Sequence, residues 1–292
     1  MRDARAAVSS VYRIFAISIV AGSLGAAPST AHAWDSRTHR LIARLAIDAL
    51  PESPLKRIFE AHAADLQEDA VAPDEVLRPR YGKEEAIRHY IDLENFGADP
   101  FAALQPDFFA MVNKYGAETL ERSGTLPWTI ADLARGAQQA WRAGDCAEAI
   151  SRSGYLAHYV GDATQPLHTT RFYDGYPQDR GMHARLEGAV DRDISEVEEL
   201  ARPQVHLQPV SSVWWSAIGE LRQSNELVAP TFDADRAARE ATGAKRGADF
   251  DRALLRRDLP MIVRQVTEAS SVLASIWLYA WKQAGAQGAC AR

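Results

Sequence analysis

The stretch HYVGDATQPLH, residues 158–168, decides the fold. His158 and Asp162 are four positions apart, so on a helix they share one face. Pro166 ends that helix and His168 follows in the turn. Fifteen residues on, HARLE (residues 183–187) repeats the arrangement with His183 and Glu187, again four apart. Neutral imidazole and a carboxylate oxygen are both ligands that suit zinc. An isolated His-x-x-x-Asp is more often a surface pair or a satisfied core histidine. Two such pairs joined through a proline turn point to a metal centre built on helices.

The surrounding sequence is helical in pattern. Ile42, Leu45, Ala46 and Ala49 form an apolar stripe at helical spacing, as do Ile130, Leu133, Ala134, Ala137 and Trp141. Trp214, Ala217, Ile218 and Leu221 repeat it, and Ile262, Val266, Ala269, Leu273, Ile276 and Ala280 extend it towards the C-terminus. Tryptophans at this spacing are expected in the core. Gly and Pro gather at 71–82, 95–106, 124–127, 164–181 and 202–209, which read as loops. Alternating strand patterns are scarce, and no repeat or low-complexity tract is present. The expected fold is all-α, a single multi-helix domain over residues 34–292.

Residues 1–33 read as a secretory signal peptide. Arg2, Arg5 and Arg13 precede or border the apolar run IFAISIVAGSLGAA, and the segment closes on AHA, a small-x-small cleavage pattern. Cleavage after Ala33 would leave Trp34 as the first residue, and the expected location is secreted or periplasmic. Removing the segment's three arginines and one aspartate from the 33 basic and 39 acidic residues leaves 30 and 38, a net charge of −8. Such a chain is poorly suited to gripping duplex nucleic acid through its phosphates. Bound metal ions can nevertheless reverse the field locally, so a phosphodiester substrate stays open. Two cysteines, Cys146 and Cys290, could form one bridge in an oxidising compartment.

Upstream of the two pairs lie APDEV with Asp74, RHYIDLE with His89, and Trp34 followed by His39. Together with H-x-x-G-D-x-x-Q-P-x-H and the closing helix VTEASSVLASIW (residues 266–277), these resemble the zinc-dependent phospholipase C and single-strand-specific zinc nuclease superfamily. The resemblance runs along essentially the whole chain after residue 33. It implies exported, all-α enzymes with a trinuclear zinc cleft. Carried over, it assigns Asp74, His89, His158 and Asp162 to one zinc ion. The Trp34 α-amine and carbonyl, His39 and the other Asp162 oxygen go to a second, and His168, His183 and Glu187 to a third. Three carboxylates against three dications make a cationic pocket suited to a phosphate diester. In this reading a metal-activated water attacks phosphorus in line, with Asp162 bridging two metals and Asp74 orienting the water as a hydrogen-bond acceptor. No G-x-S-x-G elbow, H-E-x-x-H or Walker-type loop is present to support another hydrolase.

Within the superfamily, Glu187 and the short connection from His168 to His183 resemble the bacterial phospholipase C branch. At the head-group positions the chain departs from the choline-specific enzymes. Arg37 stands where they carry an acidic residue, and Glu75 and Ala86 where they carry aromatics. A cage for a quaternary ammonium needs aromatic faces or carboxylates, so a different head group is implied. Tyr90 and Asp92 match a base pocket of the nuclease branch, which keeps a single-strand-specific nuclease or 3′-nucleotidase as the alternative. A zinc-binding export protein without turnover is the reading from another class. Expected partners are therefore a phospholipid head group or single-stranded nucleic acid as substrate, with transient membrane contact on the first reading. His62 and His206 fall outside the pattern and read as surface or structural histidines.

Overall fold

A computed structural model describes residues 34–285 and 290, all of which belong to one compact unit. The expected signal peptide, residues 1–33, lies outside the described residues. No strand occurs among the described residues. The helices longer than eight residues are α1 (Ser36–Ala49), α2 (Leu126–Ala143), α3 (Cys146–Thr164), α4 (Met182–Arg192), α5 (Val213–Glu226), α6 (Val228–Thr242) and α7 (Ala248–Ala284).

Local sequence sets their ends. The Asp35 side chain accepts the Ser36 N–H at 2.8 Å to start α1, and Asp145 accepts the Glu148 N–H at 3.2 Å to start α3. Gly144 adopts φ 74° between α2 and α3, a left-handed conformation natural to glycine, so the two helices fold back on each other. The 37-residue α7 is the spine: α1, α2, α3, α4, α5 and α6 all pack against it. Its face carries Ile262, Val266, Ala269, Leu273, Ile276 and Ala280, all buried as the periodicity predicts. The aromatic centre is made by Trp141 against Trp281 (4.9 Å between ring centroids) and Phe59 against Trp277 (4.8 Å). Of the seven tryptophans only Trp215 is exposed. It neighbours Trp214, so it points off the α5 stripe.

Several segments that read as loops contain helical turns. Pro73, Pro79, Pro100, Pro127, Pro166 and Pro203 each occupy the first or second position of a short or long helix. Proline is favourable there, because the missing N–H would lack an intrahelical partner anyway and φ is already helical. Loop punctuation and helix initiation therefore share one residue type. Cys146, at the start of α3, is bridged to Cys290, with 5.7 Å between Cα atoms. No helix among the described residues is long and apolar enough to cross a membrane.

Candidate metal centre

The last two turns of α3 present His158 and Asp162, both fully buried. The His158 Nδ1–H donates to the Ala70 carbonyl at 2.8 Å, which leaves Nε2 as a lone pair directed inward. Asp74 comes from a single π-helical turn, Pro73–Leu77, a distortion that often occurs at functional sites. Its Oδ1 is 3.7 Å from His89 Nδ1 and its Oδ2 is 3.9 Å from His158 Nε2. His89 Nδ1 lies 3.0 Å from His158 Nε2 and 3.1 Å from Asp162 Oδ2. The other Asp162 oxygen is 3.5 Å from His39 Nε2 on α1. Asp162 thus offers one oxygen to each of two histidine groups.

A third group stands beside these. His168 sits in the 3₁₀ turn Pro166–Thr169 that follows α3, and its Nδ1–H donates to the His89 carbonyl at 2.5 Å. Its Nε2 meets His183 Nε2 at 3.0 Å, and Glu187 Oε1 lies 2.8 Å from the same His183 nitrogen. Gln165, inside the opening motif, donates to Glu187 Oε1 at 2.7 Å. Three sets of donor atoms lie within 4.8 Å of one another: His39/His158/Asp162, Asp74/His89/His158 and His168/His183/Glu187. Trp34 is fully buried five positions before His39.

The chemistry of these donors fits metal ions. Among buried atoms without a hydrogen-bond partner are both His39 ring nitrogens, both Asp162 oxygens, His89 Nε2 and His183 Nδ1. A buried polar group left unpaired costs about 1–3 kcal/mol, more for a charge, and a cation would satisfy the two Asp162 oxygens and the His39 nitrogen that faces them. Burial, and secondarily the neighbouring histidines, keep His39 well below the usual imidazole range. Burial likewise lowers His158, and lowers His168 to about 4. These rings are neutral at physiological pH, the state in which imidazole binds metal. His89 differs: burial disfavours its charge, but Asp162, Glu85 and Asp74 outweigh it and raise it to about 9.

Close packing of α1 on α3 depends on Gly161. The His39 ring stacks on His158 with 4.0 Å between centroids, and a Cβ at Gly161 would stand 2.8 Å from His39 Nδ1. Gly161→Ala should therefore push His39 off Asp162. Alanine is the better helix former by about 1 kcal/mol, so helix content should hold. If the His39 group holds a metal ion, the expected result is loss of that ion with the far-UV circular dichroism unchanged. Wild-type zinc content in this variant would refute the packing argument.

α4, which carries His183 and Glu187, is clamped at several points. Buried Arg185 donates to Asp235 through Nε at 2.7 Å and Nη2 at 2.9 Å, and to the carbonyls of Arg180 and Asp179. Beyond it, the backbone carbonyl of Asp191 accepts from the Arg37 guanidinium, tying α4 to the start of α1. Arg37, expected at the head-group pocket, is exposed and donates to the Asp191 carbonyl at 2.6 Å. Glu75 accepts from Ser36 Oγ at 2.5 Å. Tyr90 and Asp92 lie elsewhere, on the strip that pairs with His168 through Ile91 N–H at 2.9 Å. Burial, then Asp92, push the Tyr90 hydroxyl up to about 12. Burial, then Glu94, raise Asp92 to about 7. His62 and His206 are exposed and stand in none of these donor groups.

Sequence reasoning did not single out Glu85, Arg185, Asp191 or Asp235. Each acts through a tertiary contact with no local spacing signal, except Glu85, which stands four before His89.

The family described as zinc dependent phospholipase C matches residues 38–216. Among solved structures, the alpha toxin from Clostridium absonum superposes with a TM-score of 0.52 at 16% identity, covering 85% of this chain and 66% of the toxin chain. At that identity the likeness concerns the fold. No curated protein sequence matches.

Proposed function

Because the chain belongs to the zinc-dependent phospholipase C family, we propose that it is an exported zinc-dependent phosphodiesterase of the phospholipase C type. It would cleave a phospholipid on the glycerol side of phosphorus, giving diacylglycerol and a phosphorylated head group. The observation that carries this reading is Asp162, whose two oxygens face separate histidine groups while a third group lies alongside. In this reading Asp74, His89, His158 and Asp162 hold one zinc ion. Trp34, His39 and Asp162 hold a second, and His168, His183 and Glu187 a third.

Zinc bound there would lower the pKa of a water towards neutrality and stabilise charge on the phosphate oxygens. The chain's own part is positioning. Asp74, fixed by the π turn and by Arg78 Nη1 at 3.2 Å, accepts a hydrogen bond from the attacking water and aims it at phosphorus. The outward hydrogen bonds of His158 and His168 hold each ring in the tautomer whose Nε2 faces the cleft. Tyr90 and Asp92 supply a half-buried wall with one aromatic face and one carboxyl for the group beyond the phosphate. Cleavage after Ala33 would free the Trp34 amine, and the Cys146–Cys290 bridge accords with an oxidising compartment.

A substrate panel on protein beginning at Trp34 tests the reading. It contains phospholipids of different head groups, single-stranded DNA and RNA, 3′-nucleotides and bis(p-nitrophenyl) phosphate, with and without chelator. Diacylglycerol release that chelator abolishes and zinc restores is expected. Rapid cleavage of single strands with lipids untouched would replace the phospholipase with the nuclease. No metal-dependent turnover across several pH values would leave a zinc-binding protein without catalysis.

A further inference from the structure

Glu85 is a carboxylate that the cleft does not explain. It lies in the short helix Lys83–Ala86, one turn before His89 and on the same face, and is only 3% exposed. Its position is behind His89, away from Asp74 and Asp162. His89 turns Nδ1 into the metal centre, 3.0 Å from His158 Nε2 and 3.1 Å from Asp162 Oδ2. Nε2 therefore points the other way. The carboxylate oxygen facing it is Glu85 Oε1, 3.5 Å distant, and Nε2 has no closer hydrogen-bond partner.

The carboxylate is itself held from two further sides. The buried Tyr159 hydroxyl donates to Oε1, and Arg88 Nη1 donates to Oε2 at 3.0 Å. The Arg88 guanidinium also lies 5.0 Å from the Tyr159 ring centroid. Tyr159 is the neighbour of His158 on α3, so the clamp joins the segments that deliver two of the histidines. Side chains that cost free energy to bury and face no solvent need a function or a strong partner. A carboxylate accepting from the remote nitrogen of a metal-bound imidazole fixes its tautomer and makes the near nitrogen a better ligand.

We propose that Glu85 is a positioning residue that keeps the proton of His89 on Nε2, so that Nδ1 stays a lone pair aimed at the Asp74/His158 group and that group holds its metal tightly. The inference rests on the reading that this group binds zinc. Tyr159 and Arg88 keep the carboxylate from rotating away.

Nitrogen-15 NMR of the histidine rings, on full-length processed protein, tests the tautomer without any substitution. The expected spectrum shows His89 with its single proton on Nε2 in zinc-loaded protein, and in zinc-free protein at a pH high enough for the ring to be neutral. A neutral zinc-free ring with its proton on Nδ1, or Nε2 as the zinc-bound nitrogen, overturns the proposal. Zinc affinity is read by competition with a chromophoric chelator. Glu85→Gln should weaken one zinc equivalent by about 10–100-fold and leave the others alone. Tyr159→Phe, which leaves Arg88 holding the carboxylate in place, should weaken it much less. A folded Glu85→Gln protein with unchanged affinity overturns the proposal as well. If the unmodified protein takes up no zinc at this group, the phosphodiesterase reading fails, while the ring spectrum still decides the tautomer.

Discussion

Asp162→Asn should reduce kcat/KM on bis(p-nitrophenyl) phosphate by about 10³-fold or more, since metal activation of water and phosphate is worth several kcal/mol. The side chain is fully buried, with one oxygen 3.5 Å from His39 and the other 3.1 Å from His89 and 3.5 Å from His158. Asparagine is nearly the same shape but brings no charge, and one of its two ends presents N–H donors. Whichever way the amide turns, one histidine group meets hydrogens where it had an oxygen lone pair. Two metals would then lose a shared anionic ligand. The helix should survive, because α3 is held by its apolar face and by its Asp145 cap. Removing an uncompensated buried charge even favours the metal-free fold. Kinetics, zinc content by mass spectrometry and far-UV circular dichroism on the same sample check this. A fully active Asp162→Asn protein would rule out the bridging role.

The second large effect is expected at the other end of the ligand set. On the proposed ligand set, protein released with one additional residue before Trp34 should lose about one equivalent of zinc and drop roughly 10²-fold or more in activity, because a peptide nitrogen would stand in place of the amine. Trp34 is fully buried just ahead of α1, five positions before His39, whose Nε2 is 3.5 Å from Asp162. An amide nitrogen is a poor ligand at neutral pH, whereas a free α-amine with its neighbouring carbonyl can chelate. Export and activation would then be coupled at one peptide bond. Equal zinc content and equal activity for the two start sites would end that idea. On this account, affinity tags belong on the C-terminal side or must be removed without a scar.

Much of the site is legible in sequence because its residues lie on regular elements. His158 with Asp162, and His183 with Glu187, are i,i+4 pairs that any helix brings to one face. The structure places each pair as the spacing requires. Asp74 and His89 are legible only through the family resemblance, since a π turn and a short helical segment separate them from any periodic stripe. Gly161 carried a signal that composition alone hides: the residue beside Asp162 has no side chain because the His39 ring occupies the space. The supporting contacts were not legible at all. Arg185 meets Asp235 across 50 positions and Arg37 meets Asp191 across 154, distances at which a single sequence carries no periodic information. Proline misled for a physical reason already met in the fold, since a residue that breaks helices inside also starts them.

The Cys146–Cys290 bridge divides the ligands topologically. The covalent loop it closes, spanning 144 positions, encloses His158, Asp162, His168, His183 and Glu187, while Trp34, His39, Asp74 and His89 stay outside it. In the chain-entropy model such a loop takes about 5 kcal/mol of freedom from the denatured ensemble. That gain falls on the segment carrying the His168/His183/Glu187 group, whose three members are all inside. The groups that share Asp162 must recruit members from the unconstrained part of the chain. One donor group is therefore complete within the covalent loop, whereas the two that share Asp162 straddle its boundary.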